Sequence, residues 1–426
     1  MRWRIFILAF ALLLWSYKGS NNDAFAQNWR SQETVELVFC GDVMQHLPQV
    51  RAATAAKAAG AKDGLVSACE PNAVSSPTGA GSSREAKCRS AKGGNSAQAA
   101  RPGRNSRPSQ PAEVLEASGP DYRYCFEQVA PLWQGADFVV ANLETTLAES
   151  GFSGYPRFVS PWQLARDLRL SGIGVLVTAN NHCCDNGAPG IDRTIDWLDS
   201  LGIAHTGTWR DSAQYRAQSP LMLSKGPFRI ALLNYTYDTN GMPIPQGRVV
   251  ALLDTAAMAR DIRAARERNA TNIVAFLHWG EEYRPTPSAT QRELAAWLHS
   301  RGVDIVVGSH PHVVEPAQYC VDGVDTTGVT VYSLGNFISN QRKERTCGGI
   351  CVRLRITADS ARCHYRLDYW NNYVSMNFRG RSYVVIPETM LDSLPSGQRD
   401  EFRRLVQQQD QTVGLKGVQT LTVTPR

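Results

Sequence analysis

Five short apolar runs in this chain each break off at residues able to ligate a metal. Residues 35–40 lead into Gly41-Asp42, and residues 138–141 into Asn142-Leu143-Glu144. Residues 175–179 lead into Asn180-Asn181-His182, residues 273–277 into His278-Trp279, and residues 303–307 into Gly308-Ser309-His310-Pro311-His312. Apolar runs this short predict buried strands, and open α/β folds bind their ligands at the rim where such strands end. Asp, Glu, Asn and His converging on one rim make up the donor set of a metal centre with nitrogen and oxygen ligands. The His310-x-His312 pair anchors the reading.

The pattern between these runs sets the fold class. Helical spacing is predicted over 162–171, 191–201, 254–269 and 289–300, alternating with strands over 136–141, 175–179, 203–207, 228–235, 272–277 and 303–307. Strands alternating with helices predict an α/β domain with parallel pairing, because parallel neighbours need crossover helices. From residue 329 onward, strands over 329–334, 349–357 and 364–370 follow without helices between them, which predicts an antiparallel closing section. A further strand over 383–386 and a helix over 394–407 complete the pattern.

The ends and one internal stretch read differently. Arg2 and Arg4 precede an apolar run over 5–15, and Ala24-Phe25-Ala26 offers a small-x-small cleavage site, so residues 1–26 are expected to be a secretory signal. An uncleaved anchor is the alternative, and membrane contact is expected only through this segment. Residues 71–112 are almost wholly Ala, Ser, Gly, Pro, Arg and Lys with polar neighbours, and Val74 is their one large aliphatic residue. Such a stretch cannot bury enough apolar surface to offset its ordering entropy, so it is expected to be a disordered insertion. One domain over 27–378, interrupted by that insertion and followed by an extension over 379–426, is the expected organisation.

Charge and cysteine content bound the partners. Of the formal net charge of +6, residues 1–26 contribute +2 and residues 51–119 contribute +5, leaving −1 for the remainder. The folded body is thus close to neutral, and no nucleic-acid partner is expected. Ten cysteines in an exported chain raise the prospect of disulfides, and one bridge is expected among Cys320, Cys347, Cys351 and Cys363. Cys183-Cys184 follows His182, but no CxxC pair accompanies it, so two small semi-buried residues are expected there rather than a zinc site.

Six motifs in order carry a resemblance. They are Gly41-Asp42-Val43-Met44, Asn142-Leu143-Glu144, Ala179-Asn180-Asn181-His182-x-x-Asp185-x-Gly187, His278-Trp279-Gly280-x-Glu282-Tyr283, Gly308-Ser309-His310-Pro311-His312-Val313-Val314 and Tyr332-Ser333-Leu334-Gly335-Asn336-Phe337. Together they resemble the capsule-synthesis CapA (PgsA-like) family, named for poly-γ-glutamate capsule formation. The pattern also looks like the calcineurin-like metallophosphoesterase superfamily. That likeness implies a β-sandwich of two mixed sheets flanked by helices, and a centre for two divalent ions such as Mn, Fe or Zn. Residue by residue, it implies Asp42 as the first ligand, Glu144 in place of a bridging aspartate, and Asn181, His278, His310 and His312 as further ligands. His182 matches the catalytic histidine. Met44 stands where the superfamily has a histidine, and thioether is a poor ligand for these ions. One ion site is therefore expected to be complete and the other weak, unless His46 compensates.

The remaining candidates each have two readings. Asp185 could orient His182 or cap the following helix. Glu282 could act as a base toward metal-activated water, or as a partner fixing the ligand His278. Asn336 could be a turn former. His205, His299 and His364 are expected to be structural, and Trp279 and Tyr283 could line a groove or simply pack. The expected function is an exported, periplasmic or cell-surface, metal-dependent hydrolase of capsule or surface-polymer metabolism, acting on an anionic or polymeric substrate. The alternative is a non-catalytic accessory subunit of a polymer synthesis and export complex.

Overall fold

The computed structural model describes residues 33–60, 119–322, 325–358 and 363–414. The expected signal (1–26) and the expected insertion (71–112) lie outside the described residues. Strand β1 (Glu33–Val43) is followed by helix α1 (Leu47–Gly60), and after the gap by α2 (Arg123–Phe126), β2 (Phe138–Leu143), β3 (Thr146–Ala148), β4 (Val159–Pro161) and α3 (Gln163–Leu170). Next come β5 (Val175–Val177), α4 (Gly187–Ser200), β6 (Ala204–Thr206), β7 (Thr208–Trp209), α5 (Ser212–Gln218), β8 (Leu221–Lys225) and β9 (Phe228–Thr236). The chain continues through β10 (Val249–Val250), α6 (Thr255–Glu267), β11 (Asn272–His278), α7 (Ala289–Ser300) and β12 (Ile305–Ser309). It closes with β13 (Ala317–Asp322), β14 (Asp325–Val331), β15 (Asn336–Ile338), β16 (Gly348–Ala358), β17 (Cys363–Ser375), β18 (Val384–Pro387) and α8 (Ser396–Val413).

Two mixed sheets form the body. The first runs β18-β17-β16-β1-β2-β5-β6, with β15 also paired to β1, and the second runs β13-β14-β12-β11-β9-β8. β1, β2, β5 and β6 pair in parallel, as do β9, β11, β12 and β14. The late strands β16, β17 and β18 pair antiparallel, which is the antiparallel section expected after residue 329.

Alternation along the strands decides which layer each side chain joins. Leu37 and Phe39 of β1 pack with Leu232 of β9, Phe276 of β11 and Val307 of β12 in one core between the sheets. Val38 and Cys40, one residue out of phase, point to the outer face and pack with α3 residues Leu164, Ala165 and Leu168. On the second sheet Leu233, Ala275 and Leu277 face outward against Met258 and Ile262 of α6 and Leu298 of α7. The result is four layers, helix–sheet–sheet–helix, as the resemblance implied. No helix among the described residues is long and apolar enough to cross a membrane.

Two expectations change in this frame. The stretch 379–426 is, as far as residue 414, part of the packed body: β18 pairs with β17, and Phe402, Leu405 and Val406 of α8 bury into the core on the outer face of the first sheet. An amphipathic helix that covers a sheet face cannot be a loose appendage. The expected bridge among the late cysteines is absent: no disulfide joins any two of Cys320, Cys347, Cys351 and Cys363. Two of these thiols have other partners: the Cys347 thiol, just before β16, faces Glu401 at 3.1 Å, and Cys351 on β16 faces the Asn372 side chain.

Glycine is required where the centre's strands approach other backbone. A Cβ on Gly41 would lie 1.9 Å from the Gly335 carbonyl oxygen, and one on Gly308 would lie 1.9 Å from that of Tyr332. Both clashes involve main chain, which cannot step aside cheaply. Gly41→Ala is expected to cost about 2–3 kcal/mol of stability by overpacking, read as a lowered urea midpoint, with Asp42 displaced because it follows directly.

Candidate metal centre

The ends of five strands converge on one rim, and a bulge aims the first candidate ligand. The β1·β2 register shifts between Cys40 and Asp42, a device that redirects a side chain at a strand end. Asp42 thereby lies beside the partner sheet: its Oδ1 accepts from Asn142 Nδ2 at 2.8 Å, and its Oδ2 accepts from the His310 backbone N–H at 3.3 Å. Its Oδ2 is also 3.3 Å from His312 Nδ1. Glu144 follows the end of β2, and its backbone N–H donates to the Val43 carbonyl.

His278 ends β11 and is fully buried. Its Nδ1 edge is occupied by Ser309 Oγ at 3.0 Å and Asn142 Nδ2 at 3.2 Å. That leaves Nε2 facing Asn181 Oδ1 at 2.9 Å and Glu144 Oε1 at 3.6 Å. Holding one imidazole nitrogen so that the other faces inward is how a ligating histidine is oriented. His310 and His312 follow β12 with φ of 98° and 59°. Left-handed backbone at non-glycine residues costs about 1–3 kcal/mol each and clusters at functional sites. Here it turns both imidazoles back over the strand ends.

Two donor groups result, sharing one residue. Glu144, His278 and His310 offer ligand atoms within 4.8 Å of one another, and so do Asp42, Glu144 and His312. All five side chains are buried. Both Glu144 carboxylate oxygens and the Nδ1 atoms of His310 and His312 lack hydrogen-bond partners. Buried polar atoms are normally paired, and an unpaired buried carboxylate is costly. Four unpartnered donor atoms aimed at one space fit divalent cations, and the nitrogen and oxygen donors fit borderline ions such as Mn, Fe or Zn. Asn181 adds an amide oxygen on the His278 side.

Burial and like charges set the protonation of these groups. Glu144 is held well above the ordinary carboxylate range, first by burial, then by the Asp42 carboxylate, with Glu282 and Asp185 adding to it. His278 is pushed well below the ordinary imidazole value, first by burial and then by His310 and His312. Burial, with His312 next, brings His310 down to about 3, against an opposing pull from Asp42. The imidazoles are therefore neutral, the form that ligates metal.

The sequence candidates divide as follows. Asp42, Glu144, Asn181, His278, His310 and His312 come together. His182 lies beside them with its Nδ1 2.8 Å from Asp185 Oδ2, and Asp185 Oδ2 also accepts from the Phe158 backbone N–H at 2.6 Å. Asp185 thus orients His182, whereas the N-cap of α4 is Asn186, without a side-chain cap bond. Glu282 is exposed at the rim; the His278 edge it could have fixed is taken by Asn142 and Ser309. Met44 is buried, with its sulfur 3.8 Å from Ser339 Oγ. His46 does not replace the missing histidine: it belongs to neither donor group, its Nδ1 lies 3.3 Å from Gln49 Oε1, and its ring meets Phe158 edge-on.

Other earlier expectations settle in place. Trp279 is packing, its indole N–H donating to the Tyr332 carbonyl at 2.9 Å. Asn336 lies in β15 opposite Asp42 and donates to Gln341 Oε1 and the Thr346 carbonyl, so it braces a loop. His205 pairs with Asp199, and His299 with the Val303 carbonyl and Thr330.

Two site residues were not found from sequence. Tyr237 covers the imidazoles, its ring 4.5 Å from that of His310 and 6.3 Å from that of His278. Asn240 Oδ1 accepts from Asn181 Nδ2 at 3.3 Å, and its Nδ2 lies 3.5 Å from His182 Nε2. Both follow β9, which ends at the same rim as the other five strands. That shared strand-end placement was the available signal.

A family model described as "Bacterial capsule synthesis protein PGA_cap" matches residues 36–341. The capsule biosynthesis protein CapA of Bacillus anthracis is 27% identical over 255 residues, covering 57% of this chain and 60% of that protein. The PGA biosynthesis protein CapA of Bacillus subtilis (strain 168) is 27% identical over 249 residues, covering 57% and 63%. The match therefore spans less than two thirds of either relative. Among solved structures, a phosphatase from Mycoplasma pneumoniae aligns with a TM-score of 0.39 and 10% identity, over 80% of this chain and 95% of its own. The NAD nucleotidase of Haemophilus influenzae aligns with a TM-score of 0.40 and 9% identity, over 70% and 51%.

The buried imidazoles give the metal-free protein a pH signature. For His310 and His278 the folded-state pKa lies below the unfolded value of about 6.5, so the unfolded chain binds more protons at acid pH. Their share of stability is intact above about 6.5 and falls as pH is lowered toward 3. Urea midpoints of chelator-treated protein should drop across that window, and His310→Gln should flatten the drop.

Proposed function

This chain belongs to the bacterial capsule synthesis family PGA_cap, and we propose that it is an exported, metal-dependent hydrolase of phosphoesterase type in surface-polymer metabolism. One observation carries the proposal: Glu144 is shared by two donor groups, with both its carboxylate oxygens buried and unpartnered. A shared carboxylate between two sets of ligands is the arrangement of a two-ion hydrolytic centre. Asn181, His278, His310 and Glu144 would hold one ion, and Asp42, Glu144 and His312 the other. Divalent ions there would supply Lewis acidity toward a phosphoryl oxygen and an attacking water.

The chain's own residues divide the remaining work. Asp185 fixes His182 through Nδ1, so Nε2 is the nitrogen that faces the reacting group and can pass a proton to a leaving oxygen. Asn240 borders that nitrogen and the Asn181 amide together, which keeps the proton donor and the ligand in one register. The tyrosine ring of Tyr237 shields His310 from solvent on one side. Periplasmic or cell-surface placement belongs to the same proposal, as does an anionic polymer as substrate; both accord with the capsule and PGA biosynthesis names of the Bacillus relatives.

Met44 favours a second reading. The donor group of Asp42, Glu144 and His312 has three ligands, and the fourth position of the superfamily pattern holds a thioether packed on Ser339. A centre with one firmly held ion could serve an accessory subunit of a polymer synthesis and export complex without turnover.

Metal content by elemental analysis, paired with hydrolysis of a generic phosphodiester, separates the readings. His182→Ala is expected to keep its metal and lose about 10²–10⁴-fold in rate, whereas His310→Ala is expected to lose metal and rate together. Wild-type protein that folds without retaining any divalent ion would sink the hydrolase reading. Full support of polymer production by His182→Ala in a deficient host would favour the accessory one.

A further inference from the structure

One charged side chain beside the centre is held in place yet has no charge partner. The Lys343 ammonium sits 3.8 Å from the centroid of the Tyr283 ring, and that ring is 6.1 Å from the ring of His312. Among the described residues, no salt bridge includes Lys343. An ammonium is normally free to swing on its flexible stem; here its backbone is fixed. The Lys343 carbonyl accepts from both the backbone N–H and the hydroxyl of buried Thr346. The Thr346 carbonyl in turn accepts from Asn336 Nδ2 at 2.9 Å, and Asn336 is the register partner of Asp42 in the parallel β1·β15 pair. A short chain of bonds therefore ties the lysine's position to that of the first ligand.

The platform under the lysine is fixed as well. Tyr283 has φ of 66°, and its N–H donates to the carbonyl of Pro311, between the two ligand histidines, at 2.8 Å. The neighbouring surface is aromatic and open to solvent: Tyr155 is 82% exposed and close enough to act on the Tyr283 hydroxyl, and Tyr237 is 41% exposed. Two of the few large exposed hydrophobic side chains among the described residues are thus tyrosines beside Tyr283 or His310. Exposed apolar surface of this kind marks interaction sites. A cation on an aromatic face keeps its charge available to an anion on its open side. Glu282 is the acidic group on the same tyrosine, and it makes no salt bridge with Lys343 among the described residues.

We propose that Lys343, seated on Tyr283, is a subsite for a second oxyanion of the ligand, a carboxylate or phosphate borne on the same chain as the group held at the centre. The proposal rests on the two-ion reading of that centre. It assigns the ligand class as a molecule with at least two anionic groups, and it makes Lys343 a specificity-determining residue rather than a catalytic one.

Calorimetric titration of the full chain loaded with Mn²⁺ tests this with three probes. Butylphosphonate offers one anionic group, phosphonobutyrate adds a carboxylate, and propylene diphosphonate adds a second phosphonate. Wild type is expected to bind one or both of the probes with two anionic groups about tenfold tighter than butylphosphonate, the gain of one charge-assisted hydrogen bond. Lys343→Met should erase that margin while leaving butylphosphonate affinity unchanged, and Lys343→Arg should restore most of it. A margin confined to phosphonobutyrate identifies a carboxylate ligand, and one confined to the diphosphonate identifies a phosphate ligand. If Lys343→Met keeps the full margin, or wild type shows none while still binding butylphosphonate, the subsite is overturned and the centre stands. If Mn²⁺-loaded wild type binds no phosphonate at all, the reading of the centre fails and the subsite with it.

Discussion

A fully buried carboxylate with neither oxygen paired is the constraint on which this molecule turns. Glu144 sits between the Asp42 carboxylate and the imidazoles of His278, His310 and His312, with no hydrogen-bond donor on either oxygen. Burying such a group without compensation costs several kcal/mol, and the usual escape, protonation, leaves an acid beside the neutral imidazoles of His278 and His310. Much of the surrounding architecture serves this arrangement. The bulge in β1 delivers Asp42, the left-handed turns at His310 and His312 deliver the imidazoles, and Asn142 and Ser309 turn His278. Each of these departures from regular backbone or free rotamers would be a defect in a protein built only for stability.

Much of this was legible in the sequence, for identifiable reasons. Strand ends could be read because apolar runs give way abruptly to Asp, Asn or His, and the helices over 289–300 and 162–171 could be read because their apolar spacing is unbroken. Candidate ligands could be named from residue types at those ends, and the fold brings them together. What could not be read was direction. Whether Asp185 capped a helix or held His182 depended on the loop that brings the Phe158 backbone N–H to the same carboxylate. Whether His46 stood in for Met44 depended on the chain's turn at Gln45, after which the imidazole lies against Gln49 and Phe158 and joins neither donor group. Cysteine pairing failed for the same reason, since the thiols of Cys347 and Cys351 face Glu401 and Asn372 rather than each other.

Tyr237, Asn240 and Lys343 show a different limit. None belongs to a motif with chemistry of its own, and each matters through its neighbours: a ring over His310, an amide between Asn181 and His182, an ammonium over Tyr283. Such residues become visible only when a rim is assembled from strands distant in sequence.

The centre also draws its side chains from both sheets, Asp42 and Glu144 from one and His278, His310 and His312 from the other. The contact between His310 and Asp42 closes over 268 positions of sequence. Nothing short of the two sheets meeting face to face can create it, because neither sheet holds a complete set of donors. A ribosome-bound chain that lacks its second sheet would therefore have no specific cage for an ion. Loading would then be a final step, available only to a chain that has finished folding, and an ion held there would tie the two layers together across their seam.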